Sequence, residues 1–126
     1  MSEHKRSNNE LRTVFENYLG AFSASSPAEQ ERLLRSSLAD DVTFTNPGVD
    51  GRGIRSLVNH IAGFQRRFPG GRFQLRWIRE QHEQLLAEWV QLDRDGAELV
   101  TAHSYARLNE QGVVSHLAGF WSEGAV

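Results

Sequence analysis

Apolar and polar residues alternate through the last third of the chain, and this pattern predicts three β-strands. The alternation covers residues 85–92, 99–108 and 114–121, and the two turns between these segments end in Gly96 and Gly112. Strands joined by such short turns form an antiparallel meander. Because one face of this sheet has to be buried, we expect the upstream part of the chain to cover it.

Three upstream segments repeat apolar residues at helical spacing. The first covers residues 11–22 and follows a capping box that begins at Ser7. The second ends near Leu38 and follows a capping box that begins at Ser26. The third covers residues 54–68, and the Pro-Gly-Gly sequence that comes next stops it. These segments predict three helices, of which the first two form a hairpin.

Two further strands are expected between the helices and the meander. Residues 42–47 and 72–81 alternate, whereas residues 48–53 are expected to form a loop. The chain is therefore predicted to be one α+β domain over all 126 residues, with three N-terminal helices packed on a curved antiparallel sheet that has a mixed edge. The chain ends, residues 1–6 and 123–126, are expected to be flexible tails.

Composition narrows the classes of function. The net charge is −2, which provides no electrostatic case for binding nucleic acid or a membrane surface. The chain has no cysteine, no apolar run of membrane-spanning length and no secretory signal, so we expect a cytoplasmic protein. None of the spacings between the five histidines matches a metal site, and neither a metal nor another cofactor is expected.

Alternation also assigns side chains to the two faces of the sheet. In the last strand it places His116 and Phe120 on the inner face, which the helices cover, and Leu117 and Trp121 on the outer face. The polar and aromatic residues expected to surround an inner pocket for a small molecule are Tyr18, Asn46, His60, Trp77, Trp89, Ser104, His116 and Phe120.

Plainer interpretations stay open for several of these residues. Tyr18 also fits a core tyrosine whose hydroxyl reaches the edge of the core. Asn46 also fits a turn residue ahead of Pro47. A buried histidine such as His116 is compatible with a structural role as well as with proton transfer near neutral pH.

The order of the elements and several short motifs resemble a known family. The motifs are Val42–Pro47, Gly51–Gly53 before the third helix, Arg67–Phe73, Trp89 and Leu117–Phe120. Together they resemble the SnoaL-like polyketide cyclases, within the nuclear transport factor two-like, or ketosteroid isomerase-like, superfamily. The resemblance implies a cone-shaped fold around a pocket. It also implies a homodimer packed through the outer face of the sheet, with His103, Tyr105 and Trp121 in the interface.

The same resemblance implies a cofactor-free cyclase or isomerase that acts on a small carbonyl or polyketide-like substrate. His116 would carry the proton, with His60 as the second choice. Tyr18 and Asn46 would be the catalytic partners, and together with Ser104 they would hydrogen-bond the enolate oxygen. A ketosteroid isomerase has Asp residues where this chain has Asn46 and Ser104, and this difference argues against the steroid route. The alternatives are a non-catalytic binding protein for a small apolar ligand and a structural dimerisation domain whose core is filled.

Overall fold

A computed structural model describes residues 7–122. The predicted flexible tails, residues 1–6 and 123–126, lie outside the described residues. The helices are α1 (Asn8–Gly20), α2 (Pro27–Ser37) and α3 (Ile54–Arg67), and a short 3-10 turn, Ala21–Ser23, follows α1. The strands are β1 (Leu38–Asn46), β2 (Val49–Arg52), β3 (Arg72–Gln81), β4 (Gln84–Leu92), β5 (Glu98–Leu108) and β6 (Val114–Phe120). In the described part of the chain, no helix has both the length and the apolar character needed to cross a membrane.

The first helix begins with the predicted capping box. The N–H of Glu10 donates to the hydroxyl of Ser7 at 3.2 Å, and the N–H of Ser7 donates to the Glu10 carboxylate at 2.8 Å. At α2 only half of the predicted box is present, since Ser26 Oγ accepts from the N–H of Glu29 at 3.2 Å. The carboxylate of Glu29 instead pairs with Arg32, one turn later, at 2.6 Å.

The six strands form one mixed sheet in the order β2-β1-β6-β5-β4-β3. Strands β4 to β6 form the predicted antiparallel meander. Strand β3 continues it by pairing antiparallel with β4, and β1 extends it on the other side by pairing parallel to β6. The prediction of a loop over residues 48–53 is wrong in part, because Val49–Arg52 pair antiparallel with β1. Only Pro47 and Gly48 separate the two strands, so this loop is a two-residue hairpin turn.

The helices bury one face of the sheet, which is called the inner face below. An aromatic cluster fills much of the space between α3 and this face. Its ring centroids lie 5.7 Å apart for Phe22 and Phe64, 4.8 Å for Phe64 and Phe73, and 4.5 Å for Phe73 and Trp89. These tilted and edge-on contacts are favourable arrangements for aromatic rings, and they stabilise the junction of α3 with β3 and β4.

A β-bulge at Arg76 reverses the face of the sheet on which the predicted site residue Trp77 lies. Leu75 and Trp77 stand two residues apart on β3, but they pair with adjacent residues of β4. Arg76 is therefore an extra residue in the strand, and the alternation restarts after it. Trp77 faces the outer side, where its ring centroid lies 6.2 Å from that of His103. The predicted inner position of Trp77 is wrong.

A second bulge, at Ser115, acts in the same way on β6. Val114 and His116 pair with adjacent residues of β5, so Ser115 is the extra residue. The Ser115 hydroxyl donates to the carbonyl of Arg107 at 3.1 Å and thereby stabilises the bulge. The residues before the bulge keep the predicted faces, and the residues after it are reversed.

The reversal affects the whole end of β6. Leu117 is a core residue that is 3% exposed, whereas Phe120 is 61% exposed on the outer face. His116 also lies on the outer face, beside Thr43, whose hydroxyl is 2.7 Å from the Nδ1 of the imidazole. The predicted inner positions of His116 and Phe120 and the predicted outer positions of Leu117 and Trp121 are therefore wrong, because strict alternation does not continue through a bulge.

Candidate functional site

A small recess opens on the inner face, between α1 and the strands β1, β5 and β6. Its walls combine apolar and polar groups from Tyr18, Phe44, Thr45, Asn46, Ser104, Leu117, Gly119 and Trp121. The empty space in this Tyr18 recess is about 230 Å³, and part of that space is open to solvent. The room left for water inside it corresponds to about one molecule.

Ser104 is held in the wall of the recess by Trp89. The indole Nε1–H of Trp89 donates to Ser104 Oγ at 2.9 Å, and the two residues are 3% and 2% exposed. An indole N–H can only donate, so the serine oxygen is the acceptor in this bond. No other residue in the described part of the chain bonds to this hydroxyl. Its hydrogen is therefore available to a molecule in the recess.

Tyr18 contributes a second hydroxyl. Its ring packs between Phe15 and Phe22, with centroid separations of 5.4 and 5.6 Å. Burial raises the pKa of the Tyr18 phenol well above its ordinary value of 10.0. The phenol consequently keeps its proton at neutral and moderately alkaline pH. Within residues 7–122 the hydroxyl has no hydrogen-bond partner, and it can donate to a molecule in the recess.

Asn46 both forms a turn and borders the recess. Its Oδ1 accepts from the N–H of Gly48 at 2.8 Å, which fixes the turn between β1 and β2. The turn interpretation of this residue is thus confirmed. The side chain also forms part of the recess wall. Since Oδ1 is engaged in the turn, the amide NH₂ group is the part that remains for another contact.

The two histidines that were predicted for the site lie elsewhere. His116 is on the outer face, on the other side of the sheet from the recess. His60 lies on α3 against the edge of Phe22, with ring centroids 5.9 Å apart, and does not line the recess. Desolvation, and secondly the charge of Arg67, lowers the pKa of His60. Among residues 7–122 there is no group of three or more side chains suited to holding a metal ion.

The fold brings together three of the predicted site residues, Tyr18, Asn46 and Ser104. Trp89 supports Ser104 from behind, as described above. The other four predicted residues, His60, Trp77, His116 and Phe120, do not line the recess.

Trp121, the largest residue in the recess wall, was predicted to lie on the outer face and was not among the predicted site residues. Its ring lies edge-on to Trp89, with centroids 5.7 Å apart. A sequence signal for this placement is Gly119, two residues earlier. A Cβ atom on Gly119 would lie 2.6 Å from the Trp121 ring, so the ring rests directly on a backbone that carries no side chain.

No family model matches this sequence, and no curated protein matches it. Solved structures match it in fold. A protein from Agrobacterium tumefaciens, proposed to be an isomerase of the SnoaL-like family, aligns with a TM-score of 0.82 and 21% identity, over 90% of this chain and 98% of that one. The chain has the fold of the SnoaL-like structures.

Two further solved structures align with this chain at lower TM-scores. A protein from Jannaschia, proposed to be a SnoaL-like polyketide cyclase, aligns with a TM-score of 0.71 and 13% identity, over 94% of this chain and 90% of that one. A nuclear transport factor two-like protein of unknown function from Exiguobacterium aligns with a TM-score of 0.68 and 19% identity, over 88% and 99%. At these identities the likeness establishes the fold, as the motifs predicted, and leaves the function to be argued from the site.

Proposed function

We propose that this SnoaL-like chain binds a small, mainly apolar molecule that carries an acceptor oxygen, such as a ketone. The observation that carries the proposal is the chemical character of the polar groups in the Tyr18 recess. The hydroxyls of Tyr18 and Ser104 and the amide of Asn46 can all donate a hydrogen bond there. A carbonyl oxygen has two lone pairs and can accept from two such donors, while apolar walls hold the hydrocarbon part.

A filled structural core would explain these groups less well. The Tyr18 side chain is partly buried and its hydroxyl has no partner among residues 7–122, so this hydroxyl is open to a molecule that enters the recess. The largest ring in the recess wall comes from Trp121, beyond the end of β6, and not from the strands that build the core. An unpaired donor in a recess that opens to solvent favours a ligand-binding role over a structural one.

Ketone binding is the direct test, with cyclohexanone as the probe and isothermal titration calorimetry as the measurement. Tyr18→Phe removes one donor without changing the ring, and we expect it to weaken binding by about tenfold, the value of one hydrogen bond. Tyr105→Phe is the matched control, because that hydroxyl lies on the outer face and donates to Gln84 at 2.6 Å. Equal affinities for the wild type and Tyr18→Phe, or no binding by the wild type, would refute the proposal.

Catalysis is the second candidate, and a specific observation supports it: the similar structures include proteins proposed to be isomerases and polyketide cyclases. The protonated Tyr18 hydroxyl could polarise a carbonyl for removal of an adjacent proton. Tyr18 is, however, the only group in the recess walls that titrates, and a donor whose pKa is raised is a poor base. The geometry therefore supports binding better than acid/base turnover.

Exchange of the α-protons of cyclohexanone in D₂O separates binding from catalysis. A catalyst of enolisation would accelerate the exchange above the rate in buffer, and Tyr18→Phe would abolish the acceleration. Binding by the wild type with exchange at the buffer rate would support a binding protein. Nuclear magnetic resonance measures both quantities in one sample.

We also propose that the chain forms a homodimer through the outer face of the sheet. Three large apolar side chains are exposed in the described part of the chain, namely Leu86 (45%), Leu99 (48%) and Phe120 (61%). Leu86 and Phe120 flank Tyr105 and His103 on this face. Trp121, which was predicted to join the interface, lies on the inner face instead.

Sedimentation velocity tests this dimer. Leu86→Lys places a charge among the exposed apolar side chains of the outer face, and we expect it to shift the protein to monomer. Ser56→Lys, on the exposed surface of α3, adds the same charge away from the sheet and should leave a dimer intact. A monomeric wild type, or a dimer that survives Leu86→Lys, would contradict this arrangement.

A further inference from the structure

The indole of Trp121 forms one wall of the Tyr18 recess. It contacts the backbone at Gly119 and the edge of Trp89, and it faces the recess that Tyr18, Asn46 and Ser104 line. With this ring in place the recess has room for about one water molecule. A ring-shaped ligand can therefore enter only if the indole moves.

The described contacts of Trp121 are packing contacts of its side chain, which can break without unpairing the strands of the sheet. The last paired residue of β6 is Phe120, opposite His103, so Trp121 stands outside the ladder of the sheet. Within residues 7–122 no hydrogen bond to the indole N–H is formed. Among these residues packing alone positions the ring, which remains partly exposed to solvent.

The indole does not satisfy the hydrogen-bond donors of the recess walls. The polar groups on Tyr18, Ser104 and Asn46, which line the recess together with Trp121, have hydrogens to donate. The indole N–H is itself a donor and has no acceptor to offer them. A flat ring compound of similar size with a carbonyl oxygen would keep the apolar contacts and satisfy the donors as well.

We propose that Trp121 is a gate that occupies the binding site in the absence of ligand, and that the ligand is a planar fused-ring ketone of about the size of indole. This inference rests on the proposed binding function and specifies its ligand and its control. The ligand displaces the indole toward solvent and accepts hydrogen bonds from the Tyr18 and Ser104 hydroxyls. The gate competes with the ligand for one space, so it lowers the apparent affinity.

Because the indole and the ligand compete for one space, removal of the Trp121 side chain should strengthen ligand binding. If the open form is about 1–10% of the population, the apparent affinity falls to that fraction of its intrinsic value. Trp121→Ala removes the competitor, and we expect it to strengthen ligand binding by about 10–100-fold. A tryptophan that served as an ordinary wall of the site would have the opposite effect, since its removal would weaken binding.

Calorimetric titration with 1-indanone decides between these two roles. Trp77→Ala is the matched control, because it removes the same side chain from the outer face and should leave the affinity unchanged. Stronger binding by Trp121→Ala alone supports the gate. Unchanged or weaker binding by Trp121→Ala overturns the gate, while donor-dependent binding of cyclohexanone would leave the binding function intact. No ketone binding by any variant overturns both.

A second measurement uses the wild-type fold and does not depend on the stability of Trp121→Ala. Labelling with 5-fluorotryptophan gives a ¹⁹F resonance for each of the three tryptophans, and Trp121→Phe assigns one of them. On saturation with 1-indanone, the Trp121 resonance should move toward the position of free 5-fluorotryptophan in water. A Trp121 resonance that stays at its initial position while 1-indanone binds would overturn the gate.

Discussion

A double-mutant cycle on Trp89 and Ser104 tests whether their hydrogen bond stabilises the inner wall of the recess. The bond is 2.9 Å long and joins two residues that are 3% and 2% exposed, so both partners are shielded from bulk water. Ser104→Ala leaves the indole N–H unpaired, and we expect it to cost about 1–3 kcal/mol of the free energy of unfolding. Trp89→Phe removes the donor and part of a core ring, and should cost about 2–4 kcal/mol.

In the double variant neither group is left unpaired. Its cost should therefore be smaller than the sum of the single costs by about 1–2 kcal/mol. Urea unfolding followed by circular dichroism measures all four proteins. The bond between Tyr105 and Gln84 is a control for exposure, since it lies partly open to solvent on the outer face, and its coupling should stay below about 0.5 kcal/mol. Costs that add within about 0.3–0.5 kcal/mol for Trp89 and Ser104 would refute the reasoning.

Two further predictions concern stability. The pKa of His60 is lowered from 6.5 in the folded chain, so the unfolded chain binds more protons and stability is lost as pH falls from 6.5 through the folded-state pKa. His60→Gln should therefore lose less stability than the wild type between pH 7 and pH 5 in urea titrations, and identical losses would contradict the assignment. The second concerns Glu83, which together with His82 adopts positive φ, 59° and 48°, in the turn between β3 and β4. Glu83→Gly should stabilise the fold by about 0.5–1 kcal/mol in thermal unfolding, whereas Glu110→Gly, outside the positive-φ region, should give no gain.

Periodicity was sufficient to predict most of the elements. The three helices and the strands β3 to β6 follow from local patterns, and the caps at Ser7 and Ser26 come from short motifs that act over three residues. Strand β2 was missed because its four residues, with a central Gly51, have little apolar alternation to detect. It exists because β1, which is separated from it by two residues of the chain, provides a partner for it, and alternation within a single segment does not reveal such a partner.

The site was harder to predict than the fold, because the face on which each side chain lies depends on the register of its strand. Tyr18 and Ser104 were placed correctly, since a helical stripe and an uninterrupted strand carry them. Trp77, His116 and Trp121 were misplaced, because each follows a bulge. A bulge arises when two strands of unequal residue number pair across the same length. Nothing within β6 alone marks Ser115 as the extra residue.

The two bulges have a practical consequence for comparing this chain with proteins whose strands are regular. An alignment without gaps across Ser115 would match His116 to an inward position in such a protein and Leu117 to an outward one. One single-residue gap at Ser115 and another at Arg76 restore the correspondence between side chains that face the same way. Similar structures share only about one residue in five with this chain. At that identity, the placement of these two gaps determines which side chains of the inner face are compared as equivalent.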